Sequence, residues 1–164
     1  MSTPTYTLID STTLATASNS VNFTSIPSDS SCTDLIIAID GATASSCLPV
    51  MQLNDNLSSI YYMVGMADDA GAGFSQNQTN TSFNPVPGYS VTGKFSAIWQ
   101  IMDIQATDKH KAVLVRFNQL DGTHVHAAAG RWGNTDAITS VKITTSTGAN
   151  YSIGTTINLY KIAG

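Results

Sequence analysis

The sequence contains no glutamate, and its 11 acidic residues are all aspartate. Lysine and arginine are also scarce, seven in total, so charged residues make up 11% of the chain. Because Glu, Lys and Arg favour helices, whereas Thr and the other β-branched residues favour strands, this scarcity argues against helical structure. Ser, Thr and Asn together fill roughly a third of the chain, well above average usage. The composition therefore predicts an all-β protein.

Three further absences restrict the function. The net charge is −4 and the few basic residues are scattered, so the chain lacks the basic surface that nucleic-acid binding requires. No apolar run approaches the roughly 20 residues that span a bilayer. The first ten residues, MSTPTYTLID, have neither the positive segment nor the apolar segment of a secretion signal. We therefore expect synthesis in the cytoplasm, with no nucleic-acid or membrane partner.

Cysteine is rare as well. Cys32 and Cys47 flank an apolar run and a turn that contains glycine. If residues 33–40 form a strand, the two thiols can face each other across a hairpin, and the spacing then permits a disulfide without requiring one. Without an export signal, two free and mostly buried thiols are the favoured interpretation.

Short apolar or alternating runs, separated by turn residues, recur along the whole chain and predict strands. No segment carries the apolar spacing of a helix over three turns. The stretch 66–87 is rich in Gly, Asn and Pro, and it predicts an irregular loop excursion. The predicted strands are 5–9, 20–26, 33–40, 48–53, 59–65, 88–92, 94–104, 110–118, 122–129, 137–144 and 155–162.

About ten short antiparallel strands in one domain, residues 1–164, favour a two-sheet, jelly-roll-like β-sandwich, with a barrel as the alternative. In a sandwich each strand buries one face against the opposite sheet. The expected core positions are Phe95, Ala97, Trp99, Ile101, Val113, Val115, Phe117, Val141, Ile143, Ile157 and Leu159.

His124 and His126 form the most suggestive metal motif. Two imidazoles two residues apart on a strand share one face and can reach one metal ion, as cupins arrange them on a jelly roll. The cupin pattern also needs a Glu and a later His, whereas this chain has no Glu and its other histidine, His110, comes earlier. The favoured interpretation is a polar, solvent-facing side of a strand, and we expect no metal or cofactor.

Two pairs of carboxylates also deserve consideration. Asp68 and Asp69 suggest a Ca²⁺ loop, but the alternating acidic positions of such a loop are missing, which favours an ordinary surface loop. Asp103 and Asp108 are close in sequence, as the two carboxylates of a glycosidase must be in space, yet nothing in the pattern pairs them. No nucleophile elbow or phosphate-binding loop is present. We therefore predict no catalytic residues and no enzymatic activity.

Exposed aromatic side chains are a marker of carbohydrate-binding modules. Tyr61 and Tyr62 lie on opposite faces of a predicted strand, so one of them is expected to point outward. Trp132 and Tyr89 lie near predicted turns. The alternative is that all four are ordinary aromatics at the strand ends of a sandwich.

The stretch RWGNTDAITSVKI, residues 131–143, places Trp, Arg and Asp at one turn. We interpret it as a structural corner in which residues 133–136 connect two strands. Trp132 is expected to pack over the edge of the sandwich, and Arg131 and Asp136 to tie the two sides of the connection together.

Three segments resemble small all-β structural proteins of tailed bacteriophages, of the marine and cyanophage type. They are NSVNFTSIPSDSSCTDLIIAI (19–39), IWQIMDIQATDKHKAV (98–113) and RWGNTDAITSVKITTSTGANYSIGTTINLYKIAG (131–164). The third is the most specific, and its residues in register with the family are Trp132, Thr135, Ala137, Ile138, Gly154, Leu159 and Tyr160.

This resemblance implies a non-enzymatic virion protein. Proteins of this kind serve as capsid decoration (cement) proteins, head fibres, or tail and receptor-binding parts. The resemblance therefore leads us to expect a decoration protein on the capsid surface, bound to the major capsid protein as a homotrimer. The alternative is a tail or head-fibre module that binds host-surface glycans.

Overall fold

In the computed structural model, residues 5–28, 32–69, 72–85, 90–120, 122 and 124–162 are described, and their regular structure is entirely β-strand. The strands form two antiparallel sheets, so the predicted all-β sandwich is confirmed, while the jelly-roll arrangement stays a prediction. The strands are β1 (Tyr6–Thr13), β2 (Ser20–Phe23), β3 (Asp34–Cys47), β4 (Pro49–Leu53), β5 (Tyr61–Asp69), β6 (Ala72–Asn80), β7 (Val91–Ile101), β8 (Lys111–Gln119), β9 (Val125–Trp132), β10 (Val141–Thr145) and β11 (Thr156–Ile162).

The two sheets differ in size. The larger sheet has eight strands in the order β1-β11-β3-β7-β8-β9-β5-β6, and the smaller has three in the order β2-β10-β4. Alternation along the central strands β3, β7, β8 and β9 directs one face toward a shared apolar core and leaves the other face open. All the core positions expected from the sequence are buried, which confirms that part of the prediction.

A glycine-containing turn was expected between Cys32 and Cys47, but one continuous strand, β3, runs from Asp34 to Cys47. Gly41 does not turn the chain; it pairs with Phe95 in the ladder between β3 and β7. A Cβ atom at Gly41 would lie 2.6 Å from Cγ2 of Thr155. The absence of a side chain at Gly41 therefore allows the Thr155 side chain to pack directly against β3. The glycine marks a close approach, and the expectation of a turn was wrong.

The two strands predicted at 88–92 and 94–104 are likewise one strand, β7, over the described residues. Gly93 does not separate them, because its positive φ of 97° is accommodated within the strand, opposite Thr43. Beyond Thr43 the register shifts before Cys47 meets Val91, which is the irregularity that a β-bulge produces.

The irregular excursion expected at 66–87 was wrong for much of its length, because this stretch contains the end of β5 and the whole of β6. Strand β5 extends to Asp69, and β6 pairs with it from Ala72 to Asn80. Gly, Asn and Gln gave this stretch no apolar alternation, so the sequence signal for a strand was absent. Backbone hydrogen bonds to β5 hold β6 at the edge of the sheet, where little of its surface needs to be apolar.

Strand β10 is shorter than the predicted strand 137–144. In the segment before β10, the backbone is hydrogen-bonded to the side chain of Asn54 instead of to a neighbouring strand. Nδ2 of Asn54 donates to the Ala137 carbonyl (2.8 Å), and Oδ1 accepts from the Thr139 amide (2.8 Å). Ile138 is buried there, and its amide donates to the Ile104 carbonyl. The alternation read through 137–140 was therefore wrong, because a side chain from another loop satisfies this backbone.

We expect Tyr151 to make stability fall at alkaline pH. The phenol is buried and donates to the Thr144 carbonyl (2.6 Å), and burial raises its pKa well above the usual value. Above about pH 10 the unfolded chain releases this proton while the folded chain retains it, so the free energy of unfolding decreases as pH rises. Urea unfolding across this range should show a shallower decrease for Tyr151→Phe. Equal pH slopes in the two proteins would contradict the assignment.

Candidate functional site

The second face of the larger sheet, which we call the outer face, is the most unusual surface of the molecule. Cross-strand pairing of β7, β8, β9 and β5 arranges its side chains in rows. The two central rows are Ile98, Arg116, Ala127, Met66 and then Gln100, Leu114, Ala129, Val64. On strands β5, β7, β8 and β9, the large apolar side chains exposed on this face are Tyr62, Val64, Met66, Ile98, Leu114 and Val125. A sheet face that meets only water normally carries polar side chains instead.

A shallow depression follows β9 across this face. Its floor is formed by Ala127 and Ala129, whose side chains are the smallest in their rows. Larger side chains rise on both sides, from β5 and from β8. We call this depression the β9 trough; its walls are Tyr62, Val64 and Met66 on one side and Leu114 and Arg116 on the other.

The β9 trough contains two concavities, one toward each end. The first, of about 470 Å³, is lined by Met66, Arg116 and Ala127 and extends past β8 to Ser96 and Ile98 of β7. The second, of about 260 Å³, lies beside Ala129 and Arg131. Both are open to solvent, so the trough suits a segment laid along it better than an enclosed small molecule.

Around the β9 trough, the charged side chains that the structure describes are the two arginines. The sequence has two arginines, Arg116 and Arg131, and both are exposed on the outer face of β8 and β9. Among the described residues no carboxylate lies within ion-pair distance of either guanidinium. The Arg131 guanidinium carbon lies 4.5 Å from the centre of the Tyr62 ring, which holds it by a cation–π contact. The surface around the β9 trough is therefore apolar and carries two positive charges, of which Arg131 is held in place by Tyr62.

Sequence reasoning missed the trough although its signal was present. In β8 the residues Val113, Val115 and Phe117 were correctly assigned to the core, which leaves Leu114 and Arg116 pointing outward. Several apolar residues that meet at outward positions are the sign of a covered or binding face. What the sequence did not supply is the order of β8, β9 and β5 in the sheet, and that order brings their outward residues together.

The His124–His126 pair lies in a different environment from the one expected. His126 is buried beside Phe117 on the core face, so the expectation of a solvent-facing pair was wrong. The two imidazoles stack with centroids 5.9 Å apart. His110 is exposed at the opposite end of β8, roughly 20 Å along the strand, and cannot join them. In the described part of the chain, no three His, Cys or Asp side chains form a group able to hold a metal ion.

The two carboxylate pairs lie in different parts of the fold. Asp68 and Asp69 belong to strand β5 rather than to the surface loop that we expected. Asp103 and Asp108 are exposed in the turn between β7 and β8, where an oxygen of Asp103 lies 2.9 Å from Nζ of Lys109. Because both are exposed, Asp103 and Asp108 do not provide the buried proton donor that a glycosidase needs.

The aromatic residues considered for carbohydrate binding differ in their exposure to solvent. Tyr62 points outward, as expected for one member of its pair, and Tyr61 is buried. Trp132 is completely buried in the core, so the expectation that it packs over the sandwich edge was wrong. Tyr89 lies outside the described residues.

The corner at residues 131–136 is structural, but its expected charge pair is absent. Arg131 contacts the Tyr62 ring instead of Asp136. Asp136 accepts from Nδ2 of Asn134 at 2.9 Å, and the Asp136 amide donates to Oδ1 of the same asparagine at 3.0 Å. An asparagine turn therefore holds the connection.

The two cysteines are free and buried, which confirms the favoured interpretation. Because β3 runs without a break between them, its length of about 45 Å keeps the thiols far beyond disulfide distance. Burial raises the pKa of the Cys47 thiol, although the Thr43 hydroxyl opposes this shift. Neither thiol has the exposure of a reactive cysteine.

Comparison with known proteins adds no identity: no family model matches the chain, and no curated protein matches it significantly. In the described part of the chain there is also no helix of the length and apolarity needed to cross a membrane. The open, apolar and arginine-bearing outer face is thus the feature from which function has to be inferred.

Proposed function

We propose that this chain is a non-enzymatic structural protein of a bacteriophage virion. Its role in this proposal is that of a capsid decoration protein, which binds the outer surface of the major capsid protein lattice as a homotrimer and stabilises the head. The observation that carries the proposal is the outer face, and the resemblance of three sequence segments to phage structural proteins supports the same role.

The composition of the outer face is that of a protein-binding surface. Protein interfaces are enriched in Tyr, Met and Arg and depleted in Lys, Asp and Glu. The outer face carries Tyr62, Met66 and both arginines around exposed aliphatic side chains. Apolar surface of this kind is unfavourable in water unless a partner covers it.

Binding of this type is sufficient for stabilisation. A protein that binds the assembled lattice more tightly than its separated subunits shifts the equilibrium toward the assembled state by mass action. Such stabilisation requires no chemical step. A rigid sheet is suited to this task because its surface rows keep their spacing.

Cryo-electron microscopy of the virus particle that carries this protein tests the proposal. We expect density for the β-sandwich at repeated positions on the head, with the outer face of its larger sheet against the major capsid protein. Removal of the protein should lower the temperature at which the head opens. Density confined to the tail would contradict a decoration role.

The second candidate function is recognition of host-surface glycans by a tail or head fibre. Exposed Tyr62, stacked with Arg131, is the observation that favours it, since sugars bind on aromatic faces beside hydrogen-bond donors. Glycan-array binding that is abolished by Tyr62→Ala would support this role. A wild-type protein that binds no glycan would exclude it.

A further inference from the structure

We propose that the β9 trough binds an extended segment of a partner protein that carries an apolar side chain between two carboxylates. The inference rests on the proposed function and specifies the chemistry that the partner surface must present. Three properties of the trough lead to it: its width, the apolar character of its centre, and the placement of the two arginines.

The width of the trough selects an extended chain. Strands β8 and β5 lie on either side of β9, so their backbones are separated by two strand spacings, about 10 Å. Side chains from both walls narrow this space further. An α-helix with its side chains is about 10–12 Å across and does not enter such a depression, whereas a single extended segment does.

The centre of the trough is apolar on all sides. Ala129 forms the floor there, with Val64 on the β5 wall and Leu114 on the β8 wall. Val64 and Leu114 are exposed by 56% and 45%. An aliphatic side chain placed over Ala129 would bury both of them, and this burial provides the apolar part of the binding free energy.

The two arginines fix the charge of the partner and its spacing. Arg116 lies opposite Ala127, and Arg131 lies four residues further along β9. Four residues of a strand span about 13 Å, the separation of side chains i and i+4 in an extended segment. Carboxylates at those two positions would meet the two guanidinium groups, with residue i+2 above Ala129. Arg131 is already held by the Tyr62 ring, so less freedom is lost on binding.

A second copy of the chain is a poorer occupant of the trough. None of the described side chains in its walls is a carboxylate, so two troughs packed against each other bring arginine toward arginine. A symmetric contact also places the same surface on both sides. The charge pattern therefore requires a partner of a different kind.

Nuclear magnetic resonance titration of the full chain tests the proposal. The probe is the peptide Thr-Asp-Thr-Leu-Thr-Asp-Thr, and the matched control peptide carries Asn in place of both Asp. We expect saturable shifts of the Ala127 and Ala129 amides, with at least about tenfold weaker binding of the Asn peptide, a difference of about 1.4 kcal/mol. Binding of the Asp peptide should weaken as salt concentration rises.

Protein variants provide the second arm of the experiment. The double variant Arg116→Gln, Arg131→Gln should bind the Asp peptide at least about tenfold more weakly. The control variant Lys142→Gln removes one positive charge from β10, in the smaller sheet. It should bind the Asp peptide with the affinity of the wild type. The amide spectra of the variants confirm that each is folded before affinity is compared.

Several results would overturn the inference. These are equal affinity for the two peptides, shifts confined to the smaller sheet, or no shift at about 10 mM peptide, far above the micromolar range of specific complexes. Shifts of the trough amides on simple dilution, together with a dimer in sedimentation, would assign the trough to a second copy. The location of the protein on the particle is a separate result, so failure of the peptide inference is distinguishable from failure of the decoration role.

Discussion

Replacement of Trp132 with alanine is expected to lower the free energy of unfolding by about 3–5 kcal/mol, the range for loss of a large core side chain. The indole is fully buried at the end of β9, between Tyr61 of β5 and Lys111 of β8 in the cross-strand pairing. Ladders on both sides of β9 hold the backbone in place, so the structure cannot collapse to fill the cavity. Urea unfolding followed by circular dichroism measures the change.

The neighbouring residue provides the control for this substitution. Arg131 lies on the outer face of the same strand, and Arg131→Ala is expected to change stability far less because its side chain is exposed. Trp132→Phe should give an intermediate loss, since part of the ring volume is retained. If Trp132→Ala and Arg131→Ala destabilise the protein equally, the placement of Trp132 in the core is wrong.

Substitution of Lys111 with methionine should destabilise the protein by at least about 3 kcal/mol, although methionine is similar in length and more apolar. Lys111 is completely buried, and its Nζ donates to the carbonyls of Ala106, Lys109 (3.3 Å) and Thr135 (3.0 Å). Each acceptor left unsatisfied costs about 1–3 kcal/mol. Burial lowers the pKa of this ammonium, and the negative charge of Asp136 partly opposes the shift.

Lys109 is the matched control, because it lies two residues away and is exposed. Its ammonium pairs with Asp103 at the surface, where ion pairs are screened by water, so Lys109→Met should leave the urea midpoint unchanged. The double variant of Lys111 and Trp132 should not be additive, since the two residues are cross-strand neighbours. An unchanged midpoint for Lys111→Met would show that the three carbonyls find other donors.

Much of this fold follows from the sequence because strand alternation is a local property. Residues such as Phe95, Trp99 and Val115 could be assigned to the core since every second residue of a strand shares a face. Free, buried thiols also followed from composition and context. The alternation in β8 also predicted that Leu114 and Arg116 point outward. The residues that form this wall of the β9 trough could therefore be recognised from the local sequence.

The rest depended on partners that are distant in sequence. Strand β6 exists because β5 supplies its hydrogen bonds, and Gly41 continues β3 because Thr155 fills the space of its missing side chain. Trp132 lies away from the edge of the sheet because β8 and β5 flank β9, and it is a core residue because its side chain projects from the inward face of that strand.

For the candidate site, the sequence alone determined the alternation of inward and outward residues in each strand. The tertiary structure decided which strands became neighbours. Because β5 and β8 lie on either side of β9, Val64, Leu114 and the alanines of β9 form one trough that also carries the two arginines. The physical reason is that side-chain alternation is set by the geometry of a single strand. Strand order, in contrast, is set by the free energy of burying all the inward faces together.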